Sequence, residues 1–120
     1  MKEENIVAGK SFRFAVRIVN LYKFLCAERK EFVLSKQLLR SGTSIGALIR
    51  ESEHAQSKAD FINKVNIALK EANETEYWLL LLKETDYLTE SEFDSIIGES
   101  RELIRLTASI VKTTKLNVEN

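Results

Sequence analysis

Apolar residues recur every three or four positions along most of the chain, and they group into four runs separated by short polar breaks. The third run, Ser57 to Leu88, shows the period most plainly. Phe61, Val65, Ala68, Ala72, Thr75, Leu79 and Leu82 fall on one stripe at steps of four and three, as one face of a helix requires. Ser57, followed three residues later by Asp60, supplies a start: the serine oxygen accepts from an orphan backbone N–H, and the acid sits at the positive helix end. At 1.5 Å per residue such a helix is roughly 40 Å long, and it is stable only under cover from other helices.

The first run predicts a helix over 10–29, after a polar lead-in over 1–9 that ends in Gly9 and is expected to fray. Its apolar residues occupy far more than the ~100° arc of one core-facing stripe. Phe12, Val16, Val19 and Phe24 are the ones left over for a second contact, and another copy of the protein is the simplest partner. Lys10, Arg13 and Arg17 share the remaining face. They read either as a solvated edge or as a contact for phosphate or an acidic partner.

A second helix is predicted over 35–55, with Ser35 as N-cap and Leu34 and Leu39 as a hydrophobic staple. Leu38, Gly42, Ile45, Ile49 and Ser52 form its inner face. The small residues of Ser41 to Ala47 leave a groove for a bulky side chain or a neighbouring helix, although a ligand-contacting nest is the other reading. The third helix is predicted over 58–85. It carries Tyr77, Trp78 and four consecutive leucines that face all sides, so Trp78, Leu80 and Leu81 join the expected oligomer contacts. Thr89 and Glu92 form a capping box, with Leu88 stapled to Phe93, and open a fourth helix over 90–114. Its tail to Asn120 is expected to fray. Short connections between four helices predict a single all-α domain over 1–120, an antiparallel up-down-up-down four-helix bundle.

Composition sharpens that picture. The chain has 120 residues, no proline and four glycines, so little interrupts helices and the domain can bury a core without disulfides. No apolar stretch approaches the roughly 20 residues of a membrane span, and MKEENIVAGK lacks the apolar region of a signal peptide, so a cytoplasmic protein with no membrane contact is expected. Cys26, between Phe24 and Ala27, reads as a small buried hydrophobe. Net charge is zero but uneven: residues 1–57 carry ten Lys and Arg against six acids, and residues 58–120 eight against twelve. A bundle can satisfy that polarity between its helices or between subunits.

Candidate chemistry is sparse. Glu51 and His54 match the E-x-x-H spacing of di-iron bundles, but that site needs two such motifs and His54 is the single histidine. The acids Glu71, Glu74, Glu76 and Glu84 with Lys70 and Lys83 read as an ionic face rather than a catalytic carboxylate pair. No phosphate loop, CxxC or nucleophile triad is present. Hence no enzyme, metal, cofactor or small-molecule substrate is expected.

At SGTSIGALIRE, Ser41 to Glu51, and AQSKADFINKVNIALKEANETEYWLLLL, Ala55 to Leu82, the chain resembles the bacterial four-helix-bundle family encoded in intervening sequences of 23S rRNA genes, also labelled S23 ribosomal protein. That family looks related to the accessory variability determinants of diversity-generating retroelements. Gln37-Leu38, Ser44-Ile45, Asp60-Phe61 and Ile67-Ala68 fall where the family has them, while Leu48 departs from an expected polar residue. The resemblance implies a homo-oligomeric ring, typically a homopentamer. For the accessory relatives it further implies binding of RNA and of a reverse transcriptase, or a similar ribonucleoprotein partner, through a basic surface. Here Lys10, Arg13, Arg17, Lys36, Arg40 and Arg50 are the candidates for that surface. The reading is therefore a non-enzymatic homo-oligomeric scaffold that binds RNA or a ribonucleoprotein, with a protein adaptor free of nucleic acid as the alternative.

Overall fold

The computed structural model describes residues 2–119 as four helices: α1 (Lys2–Glu28), α2 (Leu34–Ser52), α3 (Lys58–Glu84) and α4 (Glu90–Glu119). They form an antiparallel four-helix bundle about 50 Å long and 21 by 20 Å across. Each helix packs on its sequence neighbours, and α1 closes the ring on α4 along the most lightly packed seam.

The stripes read from spacing are the buried faces. Val65, Ala68, Ala72, Thr75, Leu79 and Leu82 of α3 are all buried, with Phe61 half-buried beside them. In α2 the inner residues Leu38, Gly42, Ile45, Ile49 and Ser52 are buried, and α1 adds Phe14, Ile18 and Leu25 with no exposed surface. The α2 glycines serve packing. A Cβ on Gly42 would lie 2.8 Å from Cγ1 of Ile18, and one on Gly46 would lie 3.3 Å from the Ser11 carbonyl oxygen, so α1 approaches α2 as only small residues permit. Across the next seam the buried Ser41 and Thr75 hydroxyls lie 3.0 Å apart.

Two of the expected helix starts are made as the residues suggest. Ser57 Oγ accepts from the Asp60 N–H at 3.1 Å. Thr89 Oγ1 accepts from the Glu92 N–H at 3.1 Å, and the Glu92 carboxylate accepts from the Thr89 N–H at 2.8 Å. The start of α2 is different from expectation. Ser35 is not its N-cap: Val33 holds that position without a side-chain cap, and Leu34 already belongs to the helix. Glu31 does the capping from further back, its Oε2 accepting from the N–H groups of Val33 and Leu34 at 3.1 Å each and its Oε1 from Ser35 at 2.6 Å. Lys30, in the left-handed region at φ 54°, turns the chain so that this carboxylate points back into the helix end.

The helix bounds also differ at both chain ends. Instead of fraying over 1–9, the chain is helical from Lys2, because Val7 is fully buried and Ala8 packs against the core, which outweighs the ~1 kcal/mol that Gly9 costs inside a helix. α4 runs past 114 to Glu119, since neither proline nor glycine follows Gly98 to stop it. Met1 and Asn120, the outermost parts of the expected frayed ends, lie outside the described residues.

Candidate contact surface

The basic first half of the chain and its acidic second half meet along the seams. Lys10 reaches Glu102 at 3.2 Å, Arg17 pairs with Glu99 and donates to the Ser95 carbonyl at 2.8 Å, and Arg29 holds Glu92 at 2.8 Å, all between α1 and α4. Between α2 and α3, Arg40 is clamped by Glu71 at 2.9 Å and by Glu74. The Trp78 indole N–H donates to Glu74 at 2.9 Å. That donor first, against a burial that works the other way, and then the Arg40 guanidinium hold the Glu74 carboxyl below the usual carboxylate range. Of the α3 acids, Glu71, Glu74 and Glu76 are thus spent within the chain, Glu76 meeting Arg101 at 2.7 Å, and Lys83 meets Glu90 of α4 at 3.7 Å, while Glu84 is exposed.

These pairings divide the six candidate cations. Lys10, Arg17 and Arg40 are committed to carboxylates within the chain, whereas Arg13, Lys36 and Arg50 have no ion pair among the described residues. Nor do the six share a face. Lys10 and Arg13 line a cleft of about 190 Å³ with Glu99 and Glu102 on the α4 side, Arg40 faces α3, and Arg50 lies in the groove between α1 and α2.

The seven apolar candidates are likewise dispersed. Phe12 and Val16 are 63% and 47% exposed on the outside of α1, with Val19 half-buried three residues on. Phe24 sits instead on the α4 seam, partly covered by the Arg29 guanidinium 4.7 Å above its ring. Trp78 and Leu80 pack against the core and Leu81 is half-buried, so the leucine run is largely spent inside one bundle. Sequence reasoning missed Phe32 and Val33, which are 56% and 72% exposed in the turn before α2.

What the fold brings together is a groove of about 320 Å³ between the outer sides of α1 and α2, lined by Ala8, Phe12, Ala15, Gly46, Ala47 and Arg50, with Thr43 and Glu53 on its α2 side. The small residues of Ser41 to Ala47 were the signal for it in the sequence. Glu51 and His54 are exposed and Glu51 is held by Lys64 at 3.2 Å; among the described residues no group of His, Cys, Asp or Glu could hold a metal ion. No described helix is long and apolar enough to cross a membrane.

Fold and surface together define a small all-α bundle with a grooved, mixed apolar and cationic outer face on its first two helices. The chain belongs to the 23S rRNA-intervening sequence protein family, whose model matches residues 3–109. Its structure is similar to the 1.70 Å crystal structure of a protein of unknown function, from the S23 ribosomal protein family, of Bacteroides thetaiotaomicron VPI-5482. The two chains are 66% identical with a TM-score of 0.90, over 92% of this chain and 98% of the other. No curated protein matches the chain.

Proposed function

We propose that the protein is a non-enzymatic scaffold that works by contact, through the outer face of α1 and α2, and that it assembles there with copies of itself. The observation that supports this is the exposure of Phe12 and Val16 beside a groove of small residues, in a bundle whose interior is already filled. Burying such side chains releases about 1.5 to 3 kcal/mol each, enough for a handful of them to hold an interface. Light scattering on a sizing column tests it. Wild type should elute as an oligomer, near five times the 13.8 kDa protomer if the ring is a homopentamer, and Phe12→Ser with Val16→Ser should return it to one chain with its helicity intact. A wild-type protein that stays a monomer at every concentration rejects self-assembly.

The same face supports a second reading, contact with RNA or with a ribonucleoprotein such as a reverse transcriptase complex, because Lys36 and Arg50 are exposed cations with no ion pair among the described residues. Such binding should fall steeply as salt rises. It should also be lost on charge reversal at Lys36 and Arg50, while Arg40, already neutralised, should matter little.

A further inference from the structure

The four seams of the bundle are not closed alike. α1 on α2, α2 on α3 and α3 on α4 are closely packed, whereas α1 and α4 are joined chiefly by polar struts: Lys10 to Glu102 at 3.2 Å, Arg17 to Glu99, and Arg29 to Glu92 at 2.8 Å. The strut side chains are 29% to 42% exposed, so water and salt reach every pair. A cleft lies on either side of the central strut. One, of about 190 Å³, runs between Lys10 and Glu102 down to Leu103, and the other, of about 340 Å³, reaches Leu21, Phe24 and Ile96. Glu99 lines the first, and Arg17 with Ser95 the second, so the bridge from Arg17 to Glu99 and the Ser95 carbonyl is the wall between them. Ile96 and Leu103, one in each cleft, share a stripe of α4 with Ser100 between them. The Ser100 hydroxyl is buried with no hydrogen-bond partner among the described residues, which penalises the closed seam until water can reach it.

We infer that the bundle opens along the α1–α4 seam, that Arg17 is the strap across it, and that rising ionic strength releases the strap and joins the two clefts into one trough floored by Leu21, Phe24, Ile96 and Leu103. Two helices resist separation through the apolar surface they share, and light packing keeps that share small here. Exposed ion pairs make up the difference, and salt screens them. Arg29 holds one end of the seam, tied also to the Tyr87 carbonyl at 2.8 Å in the turn before α4. Arg17 holds the middle, where its guanidinium donates to the Ser95 carbonyl at 2.8 Å and lies 3.3 Å from Ser95 Oγ. The seam is on the α4 side of α1, away from the α1–α2 groove, so its opening does not depend on whether copies assemble there.

The test is the rate at which dithionitrobenzoate labels a thiol placed in the seam of the full-length chain, with Cys26→Ala removing the single native cysteine. Ile96→Cys supplies that thiol, or Leu103→Cys should the first fail to fold by circular dichroism. Val65→Cys, buried on α3, is the reference. Allowing for the urea stability of each variant, the seam thiol should label at least about tenfold faster than the reference. Arg17→Met, which keeps the stem and removes the guanidinium, should speed the seam thiol about three- to tenfold and leave the reference unchanged. Salt at about 1 M, where the Debye length is roughly 3 Å, should speed the seam thiol relative to the reference, and do so less once Arg17→Met is in place. Ser100→Ala should slow it. Equal rates for the two thiols mean that only global unfolding admits the reagent, and overturn the inference. So does an Arg17→Met effect of the same size on both thiols, or a seam rate indifferent to salt.

Discussion

Replacing Glu31 by alanine should destabilise the bundle by about 2 to 3 kcal/mol, a large effect for a residue in a turn. The magnitude follows from its geometry. Glu31 is 7% exposed as a residue, and its carboxylate accepts from three successive backbone N–H groups at 3.1, 3.1 and 2.6 Å, the orphan donors at the start of α2. Loss of an ordinary N-cap costs about 0.5 to 2 kcal/mol, and a partly buried charge at a helix end adds up to roughly 2 kcal/mol, with incomplete additivity. Water has little room to replace it. Burial alone would raise this carboxyl, but the backbone donors outweigh that and hold it below the ordinary range. The folded group therefore titrates below its unfolded value of about 4.3, so its stabilisation is full at neutral pH and is lost as pH falls through the folded pKa. Glu31→Gln, which keeps one acceptor oxygen and loses the charge, should cost about 1 kcal/mol. Urea unfolding followed by helical circular dichroism, at neutral pH and at roughly pH 3, measures both. A loss below about 0.5 kcal/mol for alanine at neutral pH would refute the capping role, and an equal loss at acid pH would show that charge is not its source.

Two glycines in helices should respond to alanine in opposite directions. Gly98→Ala, where an added Cβ meets nothing within 4 Å, should stabilise by about 1 kcal/mol. Gly42→Ala drives a methyl to within 2.9 Å of both Cγ atoms of the fully buried Ile18 and should cost about 1 to 3 kcal/mol, less the helix-propensity gain; equal shifts in the two thermal melts would refute that contrast. Ser100 Oγ is buried with no hydrogen-bond partner, so Ser100→Ala should stabilise by about 1 kcal/mol. A destabilised Ser100→Ala in the same urea assay would mean that an ordered water serves the hydroxyl.

The helical period alone was enough to find all four helices and most of their buried faces, because a 3.6-residue repeat is written in the order of side chains whatever they pack against. The caps at Ser57 and Thr89 were legible for the same reason: serine or threonine and the acid three residues on bond within one turn. Ser35 misled because its rival, Glu31, reaches the helix end only through the left-handed turn at Lys30, a backbone choice that no spacing records. The start of α1 depended likewise on the core that buries Val7.

Sequence also determined that the first half of the chain is basic, the second acidic, and the first helix too apolar for one stripe. Only the tertiary structure decided what became of those excesses. The order of helices around the bundle placed α1 against α4 and α2 against α3, which neutralised Lys10, Arg17 and Arg40 and left Lys36 and Arg50 outside. It also put Phe24 under Arg29 and Trp78 beside Glu74, while Phe12 and Val16 stayed exposed. A side chain's exposure and its charge partner are properties of its neighbours across the fold, and those neighbours are set by long-range packing that local pattern does not contain.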